Sequence, residues 1–557
     1  MHALTNALKI INAFFANIVP IGDILWTFPQ NFSWYANIPI IGSIPFAIYL
    51  LLGMGIYFSI RTKFVQFRYF KRGIQVLTKK KKDTTGVSPL AAFMLSAAMR
   101  VGPGNIIGVT GAISLGGPGA MFWMWISALL GMASSFVEAT LAQIFKEKDG
   151  DEYVGGLPYY GQKLAGNKKG VGIALAILFI IYAMLSIPIQ TFHVFTAAGT
   201  AIASVTGVST DRTSPLYYAL AIILIIGIAI AVFGGIKRVT AVTDRMVPVM
   251  AVLYATVIVG LFIANIHLFP AFIQAVVIGA FKPDAIFGGA FGTVLAQGIK
   301  RGLLSNEAGQ GTITMSAAIS EQDHPVEQGF VQSIGVFLDT IIICTLSGFI
   351  VCGAHIWTNS AYNWEVLKDS KIDVFLSSLK EMIPGTAADG AVSLFICICY
   401  GLFAFTSLLG LVSFASIAGT RITKSKAFTN FVRALGALIF VPLGTLCVLA
   451  GLELDNIWYV SDLINIALVF ANAPIILYGG KYVYRALKDY VDNDGKRFVA
   501  KNIGVESDIW KDEELFNSLR DRRPRREKIS YICDFSRGGL NTRFMRSHLN
   551  LTPRPQI

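Results

Sequence analysis

Charge is scarce in this sequence. Only 15% of its 557 residues are Asp, Glu, Lys or Arg, where soluble domains carry about 25%. A packed soluble core does not explain the deficit, because the apolar residues, 54% of the chain, come in long blocks. The block 219–233 and its flanks carry no charge and approach the ~20 residues that cross a bilayer. Metal-ligand spacing is also missing. The six cysteines are Cys344, Cys352, Cys397, Cys399, Cys447 and Cys533; they read as free thiols, with no disulfide framework. No zinc-binding His pair, nucleophile motif or phosphate loop is present, which excludes the common enzyme classes. The N-terminus lacks a small-residue cleavage site after its apolar run, so residues 1–42 read as an interfacial segment.

What is there is a set of apolar stretches separated by basic connections. About eleven membrane spans are predicted, near 43–62, 88–113, 119–145, 171–205, 215–235, 246–268, 288–319, 327–353, 389–419, 433–450 and 457–479. The net charge of +13 does not point to nucleic acid, because Lys and Arg lie between and after these stretches; the expected partner is the lipid bilayer. The linker after the first span carries Arg61, Lys63, Arg68, Lys71, Arg72 and the run Lys79–Lys82, which makes it cytoplasmic. Most connections two spans apart from it are basic as well; the one with Glu321 and Asp323 is the exception. An odd span count then puts the N-terminus outside and the C-terminus inside. The expected organisation is an extra span and basic linker (43–87), five spans (88–270), five more (271–484), and a basic cytoplasmic tail (485–557). The tail holds Arg522-Arg523-Pro524-Arg525-Arg526 and reads as solvated, or in contact with anionic headgroups.

Two spans carry breakers. In Arg100-Val101-Gly102-Pro103-Gly104-Asn105, Pro103 has no N–H, so the Met99 carbonyl loses its helical partner. Gly102 and Gly104 allow unusual backbone angles, and Asn105 suits the cap of a new half-helix. In Gly298–Gly311 four glycines and a polar cluster interrupt an apolar stretch; Ser305 or Asn306 would cap a second half. Glycines spaced as Gly298 and Gly302 also serve close helix packing. A broken backbone in lipid is tolerated only around a cavity or buried protein. Each break opens a set of five spans, the layout of an inverted-repeat transporter with a midplane site. The free N–H groups of a half-helix suit a carboxylate, and the free carbonyls suit an ammonium or sodium.

Polar residues inside spans sharpen this. Asp339, with Thr340 beside it, is a cation-site candidate, since an acid at the bilayer centre needs a partner. Glu138 reads as a structural pair with a basic residue, His193 as a satisfied packing residue, and Gln190 as a pocket candidate. Thr406 and Ser407 either bond back to the preceding turn or face the first break.

Arg100–Asn105, with Gly116–Ala120 and the run Lys300-Arg301-Gly302-Leu303-Leu304-Ser305-Asn306-Glu307-Ala308-Gly309, resemble the alanine or glycine:cation symporter family, also called sodium:alanine symporters. Asp339-Thr340 and Phe405–Gly410 look like that family too. The resemblance covers roughly 45–480. It implies an all-α integral membrane protein with the LeuT-type fold, a 5+5 inverted repeat with two discontinuous helices and one extra N-terminal span. It implies sodium-driven import of a small neutral amino acid, with Na+ co-transported. By this likeness Gly104 and Asn105 hold the substrate carboxylate with Gly102 also at the substrate site, Asn306 and nearby carbonyls meet its amino group, and Ser407 and Leu411 shape the side-chain pocket. One sodium position uses Asn105, Ser305 and Asp339; another uses carbonyls at Ala98 and Val101 with Thr406 and Ser407. Three departures widen the choice of substrate to larger neutral amino acids such as glutamine or serine. Pro103 stands where the family usually has Thr, Leu411 stands where Trp is common, and Gly311–Thr314 lacks the usual Pro. A proton-coupled carrier is the mechanistic rival.

Overall fold

The computed structural model describes residues 6, 9–10, 13, 16–38, 41–79, 86–206, 215–282, 291–354, 371–383, 389–449 and 455–511. The Arg-rich part of the tail, Cys533, Lys80–Lys82 and the connection 208–214 lie outside them. Helix dominates, as a lipid setting demands: a helix satisfies its own backbone groups where water cannot. The helices used below are α1 (Val19–Thr27), α2 (Phe46–Arg61), α3 (Pro89–Arg100), α4 (Ile107–Gly116), α5 (Gly119–Ile144), α6 (Lys169–Thr206), α7 (Pro215–Phe233), α8 (Ile236–Ala264), α9 (Phe269–Phe281), α10 (Phe291–Asn306), α11 (Thr314–Ile319), α12 (Pro325–Gly353), α13 (Asp389–Gly419), α14 (Lys426–Leu449) and α15 (Asp455–Asp492). A two-stranded antiparallel hairpin, β1 (Glu147–Asp149) with β2 (Glu152–Val154), follows α5.

Among the described residues seven helices are long and apolar enough to span a membrane, and an eighth if the bent pair α3 and α4 counts as one. Helical segments stand at each expected span, but α2, α7 and α9 are shorter apolar helices, and α9 was not foreseen. Large aliphatic side chains such as Ile222, Ile226 and Ile230 on α7 and Val252 and Ile263 on α8 are exposed. That is the outer face of a lipid-embedded bundle, not a soluble surface. The five described cysteines are free and buried.

The first break falls where the sequence puts it. Ser88 accepts a hydrogen bond from the Ala91 N–H at 3.1 Å and Pro89 fills the first turn, so α3 starts there. It ends at Arg100; a short 3-10 turn, Pro103–Asn105, follows, and α4 leaves at 58° to α3.

The second break is displaced from the expected position. α10 runs unbroken through Gly298, Gly302, Ser305 and Asn306. The first two glycines serve packing: a Cβ on Gly298 would stand 2.4 Å from the Ala120 carbonyl oxygen, and one on Gly302 3.0 Å from Ser127 Oγ. Ser305 and Asn306 therefore end a helix and do not begin one. The chain leaves helical geometry at Glu307, where φ is 56°, passes Gly309 and Gly311 at positive φ, and resumes as α11.

The acidic connection that broke the charge pattern has a local explanation. Lys79 reaches Glu327 at 2.6 Å and Asp323 at 3.4 Å, and Arg72 reaches Glu327 at 3.5 Å. The acids near 321–327 thus lie against the basic linker at the same end of the bundle. The tail reading needs correcting at its start. Residues 485–511 belong to the compact body: α15 continues to Asp492, and Ala500, Ile503 and Trp510 are buried in the main core. Trp510 Nε1 donates to the Gln143 carbonyl at 2.8 Å, and the Phe498 N–H to the Asp323 carbonyl at 3.0 Å. The N-terminal segment is docked too. Trp26 on α1 is buried against Leu303 and Leu463, and its indole donates to the Asp462 carbonyl at 3.1 Å.

Candidate functional site

Arg100 ends α3 and points inward, fully buried. Its guanidinium donates to the Asn306 carbonyl (3.0 Å), to the Gln332 carbonyl (3.2 Å) and Oε1 (2.8 Å), and to Ser135 Oγ (2.9 Å). One side chain thereby ties the first break to the end of α10, using the rigid donor fork of arginine. Its described hydrogen-bond acceptors are all neutral.

The second break is held from the other side by Glu138 on α5. Its carboxylate accepts from the Gly309 N–H (3.1 Å), the Gly311 N–H (2.9 Å) and the Asn472 side-chain amide. Asn472 also donates to the Gly309 carbonyl at 3.0 Å, and Tyr160 donates to Asn472 at 2.6 Å. A buried carboxylate is tolerable when several donors converge on it. The expected basic partner is corrected: the donors freed by the helix break take that place.

Between the breaks lies a cavity of about 130 Å³. Its walls include Gly102, Gly104, Gly108, Gln190, Ser305, Glu307, Ser407 and Leu411, with Arg301, Asp462 and Asn465 also on its lining. A side chain built at Gly104 or Gly108 would meet nothing within 4 Å, so both glycines leave room that the cavity uses. Six of the eight expected substrate residues therefore converge here. Asn105 and Asn306 do not line it. Asn105 sits behind the wall, fully buried. Asn306 corrects the reading: its Oδ1 accepts from the Ala308 N–H at 3.0 Å, and its side chain faces a separate small void lined by Leu51, Ser127 and Ser134.

The residues expected for the first sodium position lie together. Asp339 lies in a π-helical stretch, Phe337–Cys344, within α12, a distortion common at functional positions. Its carboxylate accepts from Asn105 Nδ2 (2.6 Å), Ser305 Oγ (2.8 Å) and Thr340 Oγ1 (2.7 Å). Asn105 Oδ1 accepts the Gly102 N–H at 2.8 Å, which fixes the amide with its NH2 towards Asp339. The second set is half assembled. Ser407 Oγ donates to the Ala98 carbonyl at 3.1 Å. Thr406 Oγ1 instead donates to the Phe403 carbonyl at 3.0 Å and lies 3.7 Å from Met250 Sδ. Val101 stands at the end of α3 with its side chain buried. Hard, mostly neutral oxygens of this kind suit sodium. Among the described residues no group of three or more His, Cys, Asp or Glu could hold a metal ion. His193 is a packing residue as read, bonded to Tyr400 at 2.7 Å, although its edge reaches the cavity.

Sequence reasoning missed Glu307, Arg301, Asp462 and Asn465. The signal for Glu307 was present, since an acid within an apolar stretch is itself a functional pointer. The other three needed the fold, because α10 and α15 meet only in three dimensions.

The model of the sodium:alanine symporter family matches residues 30–502. The amino-acid carrier protein AlsT of Bacillus subtilis (strain 168) is 36% identical over 493 residues, covering 87% of this chain and 97% of that protein. The probable sodium/glutamine symporter GlnT of the same organism is 39% identical over 446 residues, covering 80% and 87%. A crystal structure of MhsT in complex with L-phenylalanine superposes with a TM-score of 0.45 at 15% identity, covering 72% of this chain and 100% of that one.

Proposed function

Because this chain belongs to the sodium:alanine symporter family, we propose that it imports a small neutral amino acid of the alanine or glycine type with sodium, the substrate binding in the cavity between the two helix breaks. The chain is a multi-pass membrane transporter and not an enzyme. The observation that carries the site is the shared cavity: Gly102, Gly104 and Gly108 from one break and Ser305 and Glu307 from the other line the same space. Gly104 and its neighbours receive the carboxylate. Ser407 and Leu411 bound the side chain.

Asp339 with Ser305 forms one sodium position, in which the ion displaces the Asn105 N–H from the carboxylate. The carbonyls of Ala98 and Val101 with Ser407 form the other, with Thr406 adjoining after a side-chain rotation. The five-plus-five repeat then works by rocking one bundle against the other, and loading of the two breaks sets which side is open. The termini follow the positive-inside rule: N-terminus outside, C-terminus cytoplasmic.

The test is uptake into proteoliposomes on a sodium gradient at clamped pH. Wild type concentrates alanine or glycine, and Asn105→Ala does not. Concentration without sodium, driven by a proton gradient alone, refutes sodium coupling. Undiminished sodium-driven uptake by Asn105→Ala refutes the site. The polar lining from Gln190, Arg301 and Asn465 favours a second reading, a substrate with a polar side chain such as glutamine or serine. Competition by the twenty amino acids in the same assay separates the two.

A further inference from the structure

The buried charges around the cavity do not balance. Among the described residues Arg100 is the one cation there at 5% exposure or less, and Glu138, Glu307 and Asp339 are the acids at that depth; Asp462 and the less buried Arg301 also line the cavity, and Asp462 is paired with Lys300 at 3.0 Å. Glu138 is satisfied by three donors and Asp339 by three. Glu307 differs. Its Oε2 accepts one hydrogen bond, from Thr312 Oγ1 at 2.8 Å. Among the described residues no hydrogen bond reaches Oε1, and the residue lines the cavity. Arg100 does not meet it by hydrogen bond, because the described donations of that guanidinium go to Asn306, Gln332 and Ser135.

The backbone supports a functional purpose. Glu307 is held at a φ of 56°, a left-handed conformation that costs a non-glycine residue about 1–2 kcal/mol. Such strain persists where the surroundings over-determine it, and it clusters at ligand sites. The conformation arises because α10 stops at Asn306 while Glu138 fixes the N–H groups of Gly309 and Gly311 only a few residues later. The turn that joins these two anchors carries the Glu307 carboxylate on the cavity wall, and Thr312 orients it.

We propose that Glu307 recognises the substrate's α-ammonium and is the residue that makes the cavity select amino acids over other small carboxylates. The inference rests on the cavity being the substrate site and deepens it. A zwitterion supplies a carboxylate to the Gly102–Gly104 end and an ammonium to Glu307. Sodium at Asp339 then offsets one of the remaining negative charges. A charge-assisted hydrogen bond is the strong kind, and a carboxylate left facing a ligand without a cation is unfavourable. A hydroxy acid of the same shape therefore binds poorly to the native cavity.

The test compares L-alanine with L-lactate, which replaces the ammonium by a hydroxyl, as competitors of sodium-driven labelled alanine uptake in proteoliposomes. For Glu307→Gln the half-inhibitory concentration of alanine rises about 10–100-fold, while that of lactate stays level or falls, so the preference narrows by at least tenfold. Thr312→Val, which keeps the carboxylate but removes the hydroxyl orienting it, shifts alanine in the same direction by a smaller factor and decides the matter if Glu307→Gln does not fold. Equal weakening of alanine and lactate marks a purely structural role and overturns the proposal. So does unchanged alanine affinity with altered pH dependence, the signature of a proton carrier. If the wild type takes up no amino acid on a sodium gradient, the functional reading itself has failed, and this inference falls with it.

Discussion

Replacing Glu138 by Gln changes one oxygen for an NH2 group and leaves the volume almost constant. In the structure Oε1 accepts from Gly311 and Asn472, and Oε2 from Gly309. With the amide oxygen kept at Oε1, the new NH2 meets the Gly309 N–H, donor against donor. That leaves a buried N–H without an acceptor, at about 1–3 kcal/mol. The two surviving bonds lose their charge assistance, about 1 kcal/mol each. Removing a buried charge returns part of its desolvation cost, so the expected net destabilisation is about 2–4 kcal/mol. It falls on the segment 307–313, which positions Glu307 and precedes α11. The purified variant should melt below wild type, and alanine or sodium should raise its melting point less, since binding must first order the break. Sodium-driven uptake should fall with it. A variant that melts and transports like wild type would show that the break holds its shape without this carboxylate, and the account of the second half-site would be wrong.

Other outcomes follow from the same geometry. Asp339→Asn should raise the sodium concentration for half-maximal uptake at least tenfold, measured at saturating amino acid; an unchanged sodium dependence would remove Asp339 from the ion site. Gly104→Val should leave the melting temperature near wild type, because the added atoms enter open space, yet it should abolish uptake by filling the cavity. Normal transport by that variant would place the substrate elsewhere. Gly298→Leu should fail to assemble, judged by size-exclusion profile, because its Cβ alone would press on the Ala120 carbonyl.

Beside residues 493–511, burial holds the His324 imidazole below its usual value of 6.5, outweighing Asp489 and Glu327, while Lys79 acts with burial. The packed state therefore disfavours the protonated ring. Since Phe498 packs on the His324 ring at 4.8 Å, docking of 493–511 should be favoured above about pH 6.5 and weaken as the pH falls below it. Tryptic cleavage after Lys496 or Lys501, normalised to protease activity, should then be faster near pH 5.5 than near pH 7.5, and equal rates would contradict this.

Composition and apolar block length were enough to establish a membrane protein, because no soluble core accommodates such runs and lipid leaves helix as the economical solution. The first break was equally legible. Proline removes a donor and the glycines on both sides weaken the helix further, so Gly102-Pro103-Gly104 is a strong breaker, whereas Pro188, Pro248 and Pro474, without flanking glycines, stay inside their helices. The second break was harder to place. Glycine permits a break without requiring one, and Gly298 and Gly302 are small because Ala120 and Ser127 press on them, which only the packing of α10 on α5 discloses. Local chemistry likewise singled out Asp339 and the Thr406-Ser407 pair, since polar groups inside lipid need a reason to be there, whereas the site roles of Gly104 and Ser305 came from the family resemblance.

What each polar group faces was decided by tertiary structure. Glu138 found N–H groups 171 and 173 residues away in place of a base, and Asn306 turned from the cavity while its neighbour Glu307 entered it. Residues 485–511 look like the start of a charged tail by composition, yet Trp510 and Phe498 anchor them to the body. Sequence fixes the donors, acceptors and breakers along the chain. Which of them meet depends on how helices distant in sequence rotate against one another, and a turn of one residue on a helix, about 100°, moves a side chain from a cavity wall to the packed face behind it.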